Sequence, residues 1–442
     1  MMKHIHFWKR QPIRLSLGAT VLSTLLGVLV FVLVSGVWLR VQGQDAMTHF
    51  SQWASRVKLD GGQDVSDLPW KTIYTPEKLS ADAVTMDQLH VASQRDPKSQ
   101  GQLRPATNDS GEALFLRTYQ WLSGGHFPQA LQTAQTMVER YPHFQLGQLL
   151  YADLLAGGAG VALETDALAN SPNLQQRMNQ LKTEALLRTR HAGVELLAGK
   201  VPAQLKYLSS SVRKVVVVDA QKSRLYVLAY QTDDTGVEKL QVVFDVYVSI
   251  GSQGMGKWRE GDAKTPMGVY FIQKHLTDAM LPDLYGSGAL TLDYPNPVDK
   301  QLKRTGSGIW LHGSPSQQYA RPPTATDGCV VLANDDMTRL IRLGVHMDTP
   351  VIIAESLSWI DGRSSTLLAP KTANAGWPVP AHMKDTSKNW ILVSAIEWVD
   401  PAEKRTYTVL SHELQVPDRG PQRRHSYWVN DRQQWKEVSS PL

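Results

Sequence analysis

VRKVVVVDAQKSRLYVLAYQ, Val212 to Gln231, decides the fold. Two runs of β-branched and aromatic residues flank the polar segment Asp-Ala-Gln-Lys-Ser, the pattern of two strands around a turn. VEKLQVVFDVYVSIG (Val237–Gly251) reads as one or two further long strands. A loop rich in glycine and charge follows, GSQGMGKWREGDAKTPMG (Gly251–Gly268), then a strand at VYFIQKH. Beyond a polar insertion punctuated by Gly and Pro come GIWLHG (Gly308–Gly313), a loop with the only cysteine, a helix near Asp335–Leu343 and a strand at TPVIIA. Residues 212–356 thus read as one mostly-β unit, a sandwich or open barrel of short strands.

Upstream the period changes. From Gly111, EALFLRTYQWLSGGHFPQALQTAQTMVERYPHFQLGQLLYADLLAG is helical in its apolar spacing. Gly125, Phe127, Ala130, Ala134 and Pro142 fall near the spacing of one tetratricopeptide unit. A single unit leaves an apolar face open, which helices at about Gln145–Leu155 and Asn173–Ala198 could cover. Residues 111–200 are therefore expected to form a tetratricopeptide-like helical region, read first as an ordinary bundle without a partner peptide; a protein partner bound there is the alternative. Residues 40–110 read as a polar stalk with a short helix near Thr85–Ser93. Residues 365–442 read as a small α+β appendage ending in a hairpin that turns at Asn430-Asp431.

The N-terminus carries the charge. Lys3, Lys9, Arg10 and Arg14 precede an uncharged run of 25 residues, Leu15–Leu39, long enough as a helix to cross about 30 Å of hydrocarbon. The first 40 residues hold five Lys/Arg and no acid, so the formal +5 lies there; the other 402 balance 41 basic against 41 acidic residues. The alkaline isoelectric point thus speaks for topology and against a nucleic-acid-binding surface. The expectation is a 1–14 cytoplasmic tail, a 15–39 single-pass anchor, and a remainder outside the cytoplasm. The apolar run exceeds a cleaved signal core, and no clean cleavage site follows it.

An exported chain with one cysteine cannot close an internal disulfide, and a spare thiol there is a liability. Cys329 follows Gly328 on a loop, with Asn334 or Asp335 as the cap of the next helix. A nucleophilic thiol needs a base, access and donors for an oxyanion. His312, 17 positions upstream at the end of an apolar strand, offers the base. Gly313 lets the chain turn away, and a backbone carbonyl near it could orient the ring. Amides at Gly328 and Cys329 could hold the oxyanion. Thr326, Asp327, Trp310, Lys264 and Asn334 are candidate substrate contacts, with Arg259 and Tyr319 as further candidates. His275 and His346 read as structural residues on a strand and a helix. No metal-ligand spacing occurs and no cofactor is implied.

Thr265-Pro266-Met267-Gly268, His312-Gly313, Thr326-Asp327-Gly328-Cys329 and Asn334 stand in an order that resembles the L,D-transpeptidase catalytic domain, the YkuD family. LDYPNPVDKQLKRTGSGIWLHG is similar to the lead-in of its membrane-anchored Gram-negative members. Many members have His where Asp327 stands, and Arg or Asn where Val331 stands. The resemblance implies a multidomain α+β chain whose cysteine forms a thioacyl-enzyme with peptidoglycan tetrapeptide stems. It then transfers the stem to another stem or to an envelope lipoprotein. Carboxypeptidase or hydrolase action on the same stems, and a non-catalytic peptidoglycan-binding scaffold, are the alternatives; a papain-like protease is disfavoured, because there Cys precedes His.

Overall fold

The structure, a computed structural model, describes residues 110–159, 171–190, 197–232, 236–362, 377–380, 383, 389–416, 420–431 and 434–438. The expected anchor at 15–39 and the short helix near Thr85–Ser93 lie outside these. No helix among the described residues is long and apolar enough to cross a membrane.

The Val212–Gln231 stretch forms the paired strands β3 (Lys214–Asp219) and β4 (Arg224–Thr232). They sit in an eight-stranded mixed sheet with β5 (Glu238–Tyr247), β7 (Gly268–Thr277), β8 (Gly288–Leu292), β9 (Trp310–His312), β11 (Val330–Val331) and β12 (Pro350–Ala354). The strand order is β11-β9-β8-β7-β12-β3-β4-β5. Both faces of β3 are buried, which is why four valines run together: such strands lose the apolar–polar alternation. Val216 and Val218 face a core with Leu225, Tyr270, Leu311, Val330 and the apolar side of α6 (Asn334–Arg342; helices are numbered in chain order). Val215 and Val217 face a second core, shared with the C-terminal strands.

Those strands correct an expectation. The described residues of the supposed α+β appendage form β14 (Trp390–Asp400), β15 (Arg405–Val416), β16 (Gly420–Asp431) and β17 (Gln434–Glu437). With β2 (Leu205–Leu208) they make a five-stranded sheet, and Val393, Ile396, Tyr407, Val409 and Tyr427 pack it onto the second core. Two sheets back to back form a sandwich with a continuous interior, so the described C-terminal strands belong to the same packed body as the 212–356 unit. Buried Arg304 links them, bonding Asp299 at 3.1 Å and Asp400 at 2.5 Å. The last hairpin also differs: Asp431 pairs with Gln434, so β16 runs through the expected turn at Asn430-Asp431.

The helical region is α1 (Gly111–Ser123), α2 (Phe127–Arg140), α3 (Gln145–Gly158) and α4 (Pro172–Thr189). Ala130 and Ala134 are fully buried, and α3 and α4 add Leu146, Leu150, Leu154 and Ala185 to the same core. The fourth helix starts and ends earlier than its apolar spacing suggested. A buried charge cluster docks the region on the β unit. Glu112 Oε1 meets Arg224 of β4 at 2.6 Å and Arg188 of α4 at 2.9 Å. Arg188 also pairs with Glu184 at 2.8 Å, and Arg224 with Asp245 at 2.7 Å.

Candidate active site

Strands β9 and β11 are parallel neighbours, with Val330 opposite Leu311 and Val331 opposite His312. Leu311 and Val330 point into the core, so the alternation puts Trp310 and His312 on the other face. Extending the register back by one residue sets Cys329 beside Trp310, on that same face. Short apolar strands thus carry the His312 imidazole and the Cys329 thiol on one face, two residues apart along the register.

His312 Nδ1 lies 2.7 Å from the Gly313 carbonyl oxygen. A carbonyl only accepts, so Nδ1 carries the proton and Nε2 is left as the acceptor. Burial lowers the imidazole to about 4, opposed by the Gly313 bond and helped by the charge of Arg321. Tyr285 stands edge-on to the imidazole at 5.0 Å and against Trp310 at 4.8 Å. The half-buried thiol of Cys329 donates to the Gly308 carbonyl at 3.3 Å. Burial pushes this thiol up; the Trp310 amide, Arg321 and Lys257 pull it down, and Asp327 adds to the rise. Both shifts favour the uncharged thiol and the uncharged imidazole.

The cysteine loop is tied by two threonines. Thr265 Oγ1 donates to the Gly328 carbonyl at 2.9 Å and accepts from the Gly251 amide at 2.9 Å. Thr326 Oγ1 donates to the Cys329 carbonyl at 2.7 Å and accepts from the Gly328 amide at 3.1 Å. This corrects two expectations. Thr326 positions the loop instead of facing substrate, and the Gly328 amide is occupied, which leaves the Cys329 amide of the expected oxyanion pair. Gly328 has φ +121°, and a Cβ there would stand 2.6 Å from the Lys264 carbonyl oxygen. Lys264 contributes this carbonyl; the cations felt at the thiol are Arg321 and Lys257, the latter buried and paired with Asp262 at 2.9 Å. Gly328→Ala is expected to cost about 1–3 kcal/mol of stability and roughly 10–100-fold in activity, checked by thermal unfolding beside turnover.

Asn334 is also a structural tie. Its Oδ1 accepts from the Ser287 amide at 2.9 Å and its Nδ2 donates to the Ser314 carbonyl at 2.8 Å. Both polar ends are taken, so the expected substrate contact gives way to a role in holding the turn after His312. Gly313 packs against that same Oδ1, where a Cβ would collide. The cap of α6 is Ala333, without a side-chain cap bond, in place of Asn334 or Asp335. Asp327 is exposed beside the thiol. His275 is exposed on β7; His346 lies in the loop after α6, not on the helix.

Lys257, Tyr285, Arg321 and the anchoring part of Thr265 were not singled out from sequence. They sit in loops and a single 3-10 turn (Asp283–Tyr285) where no periodicity marks them, although Thr265 belongs to the Thr-Pro-Met-Gly segment. Tyr319 serves the helical region instead of walling a pocket. Its ring meets Phe144 at 4.4 Å and Tyr141 at 5.1 Å, its hydroxyl accepts from the Glu112 amide at 3.2 Å, and its own amide donates to the His143 carbonyl at 3.2 Å. The loop between His312 and Cys329 is thereby clamped by α1 and the α2–α3 turn.

Residues 213–353 match the family model YkuD, the L,D-transpeptidase catalytic domain. No curated protein matches the chain. Among solved structures it is similar to Bd1075 of Bdellovibrio bacteriovorus, 23% identical over 54% of this chain and 96% of that one, with a TM-score of 0.39. The helical cell shape determining protein Pgp2 from Campylobacter jejuni is 18% identical over 58% and 98%, at 0.36. An L,D-transpeptidase from Mycobacterium smegmatis is 17% identical over 32% and 58%, at 0.20.

Proposed function

We propose, from the premise that residues 213–353 carry an L,D-transpeptidase catalytic domain, that the protein is a cysteine L,D-transpeptidase acting on peptidoglycan stem peptides. The observation that carries this reading is the placement of His312 and Cys329 on one face of neighbouring parallel strands, two residues apart along the register, with Nδ1 held by Gly313 and Nε2 left as acceptor. The thiol, turned to Gly308 in this conformation, would rotate about χ1 toward Nε2 as substrate enters. Sγ attacks the carbonyl carbon between the L-centre of a diamino acid and the terminal D-residue, while Nε2 takes the thiol proton. The Cys329 amide faces the developing oxyanion, a contribution of about 2.7–4 kcal/mol for a well-placed donor. Collapse breaks the C–N bond, and the His312 proton goes to the leaving amine. A second amine then attacks the thioester, forming a new amide and returning the proton to sulfur through His312. A stem amine gives a 3→3 crosslink, a lipoprotein amine gives attachment, and water gives carboxypeptidase action. The basic N-terminus and the 25-residue apolar run support placement at the inner membrane with this site on the periplasmic side.

Incubation of purified disaccharide-tetrapeptide with the chain from about Asp45, followed by mass spectrometry, tests the reading. A dimer lacking one D-residue supports transpeptidation; a tripeptide alone supports the hydrolytic variant; untouched substrate removes the enzyme reading for free stems.

The pH profile is a second test. His312 works as a base only when unprotonated, and its folded value is lowered, so kcat/KM should rise with pH through about 4. An ordinary imidazole would set that limb near 6.5. Alkylation of Cys329 by iodoacetamide, which follows the thiolate, should climb only above the usual thiol range of about 8.5, because burial raises the thiol. A thiol already reactive at pH 6 would replace the neutral pair with a preformed thiolate–imidazolium.

A further inference from the structure

Arg321 lies midway along the loop from His312 to Cys329, and its backbone is pinned. Its carbonyl accepts from Tyr247 Oη at 3.0 Å, the next carbonyl, of Pro322, accepts from Ser249 Oγ, and Pro323 accepts from the Ile250 amide at 2.9 Å. Two residues earlier, Tyr319 is locked into the helical region. A side chain on so fixed a backbone has a defined reach. It runs back along β10 (Thr324–Thr326), where Nη1 donates to the Ala325 carbonyl at 3.3 Å. Ala325 precedes Thr326, whose hydroxyl holds the Cys329 carbonyl, so the guanidinium lies within two residues of the thiol's own tether. Its Nε is buried without a hydrogen-bond partner, and no carboxylate pairs with this arginine among the described ion pairs. Its charge reaches both His312 and Cys329.

A half-buried guanidinium with one long carbonyl bond and an orphaned Nε is an incomplete site. Carboxylate is the group that matches it, two oxygens against two parallel N–H donors. We propose that Arg321 is the carboxylate-recognising residue of the donor site, fixing the stem peptide by an anionic group one residue from the scissile bond. This rests on the stem-peptide reading above and deepens it. Two carboxylates lie at that distance: the terminal one of the leaving D-residue and the side-chain one of the diamino acid. The arginine would make the enzyme select stems by the placement of negative charge, and a neutral analogue would leave Nε buried and unpaired.

The test compares the wild type with Arg321→Gln and Arg321→Lys on three stems: the natural tetrapeptide, its C-terminal carboxamide and its diamino-acid carboxamide. A charge-assisted bond of this kind corresponds to about a 10–100-fold effect. One carboxamide is expected to raise KM by that factor in the wild type, with little change in kcat, and so to identify which carboxylate binds. Arg321→Gln should raise KM for the natural stem similarly and abolish the discrimination, and Arg321→Lys should recover part of it. Equal discrimination in wild type and Arg321→Gln overturns the inference. A second readout needs no stem turnover: the ratio of Cys329 alkylation by iodoacetate to that by iodoacetamide. Arg321→Gln should lower the ratio about tenfold; an unchanged ratio counts against an anion site. A changed ratio in a protein that turns over no stem would sink the stem-peptide reading and leave the anion site standing.

Discussion

Cys329→Ala should abolish stem-peptide turnover, a fall of about 10⁴-fold or more, while leaving the fold intact. The size follows from the chemistry. Without sulfur there is no thioacyl intermediate, and what survives is binding and the oxyanion donor acting on a water that nothing places. The fold should be indifferent because the thiol is half-buried and makes only weak bonds, to the Gly308 carbonyl and from the Trp310 amide. Thermal unfolding within about 1 kcal/mol of wild type, together with a dead enzyme, is the expected pair of results. Cys329→Ser should be nearly as inactive, since a hydroxyl is far harder for His312 to deprotonate. A scaffold that merely binds peptidoglycan would behave otherwise: retention on purified sacculi would be its only measurable property, unchanged by either substitution. Turnover that persisted in Cys329→Ala would send the search for a nucleophile elsewhere.

Much of this site could be read from the chain because its chemistry sits on regular elements. The apolar strand ending in His312 and the glycine before Cys329 mark a candidate base and a candidate nucleophile, and the Val215–Val218 run forms a strand buried on both faces. What escaped lies where regularity ends. Arg321 and Tyr285 come from segments full of Pro, Gly, Ser and Gln, whose partners are far away in sequence. Thr326 and Asn334 read as substrate contacts because they stand in the transpeptidase-like motif around Cys329; here backbone atoms take up both. The C-terminal sheet was misjudged for a different reason. A register shift between Leu392 and Ser394 breaks the two-residue alternation of β14, so Val393 and Ile396 reach the same core from an odd spacing. Read residue by residue, that pattern suggests helix as easily as strand.

The helical region hides its attachment in the same way, because charged residues in a sequence look like solvent-facing ones. Arg188 shows how large that concealed interaction is. Its guanidinium joins Glu112 and Glu184 and lies 3.9 Å over the ring of Tyr247, with 2% of its side chain exposed. Arg188→Met keeps much of the volume and removes the charge, leaving two carboxylates facing each other in the interior. Breaking a buried pair from one side costs about 3–5 kcal/mol, far more than replacing the whole pair with apolar groups. The loss should reach the active site. Glu112 also donates its own backbone amide to the Tyr319 hydroxyl, and Tyr319 anchors the loop that carries Arg321. The variant should therefore lose Tm and activity together. The pH dependence separates charge from packing. Burial already raises Glu184, and losing the opposing Arg188 raises it further. A carboxyl raised in the folded state destabilises as pH climbs through its folded value, and that penalty disappears below its unfolded value, about 4.3. The Tm deficit of Arg188→Met should thus be large at pH 8 and shrink toward pH 5, and Arg188→Met combined with Glu184→Leu should recover part of it at pH 8. An equal deficit at both pH values, with no rescue by the second substitution, would mean that Arg188 holds the helices through its stacking on Tyr247 alone.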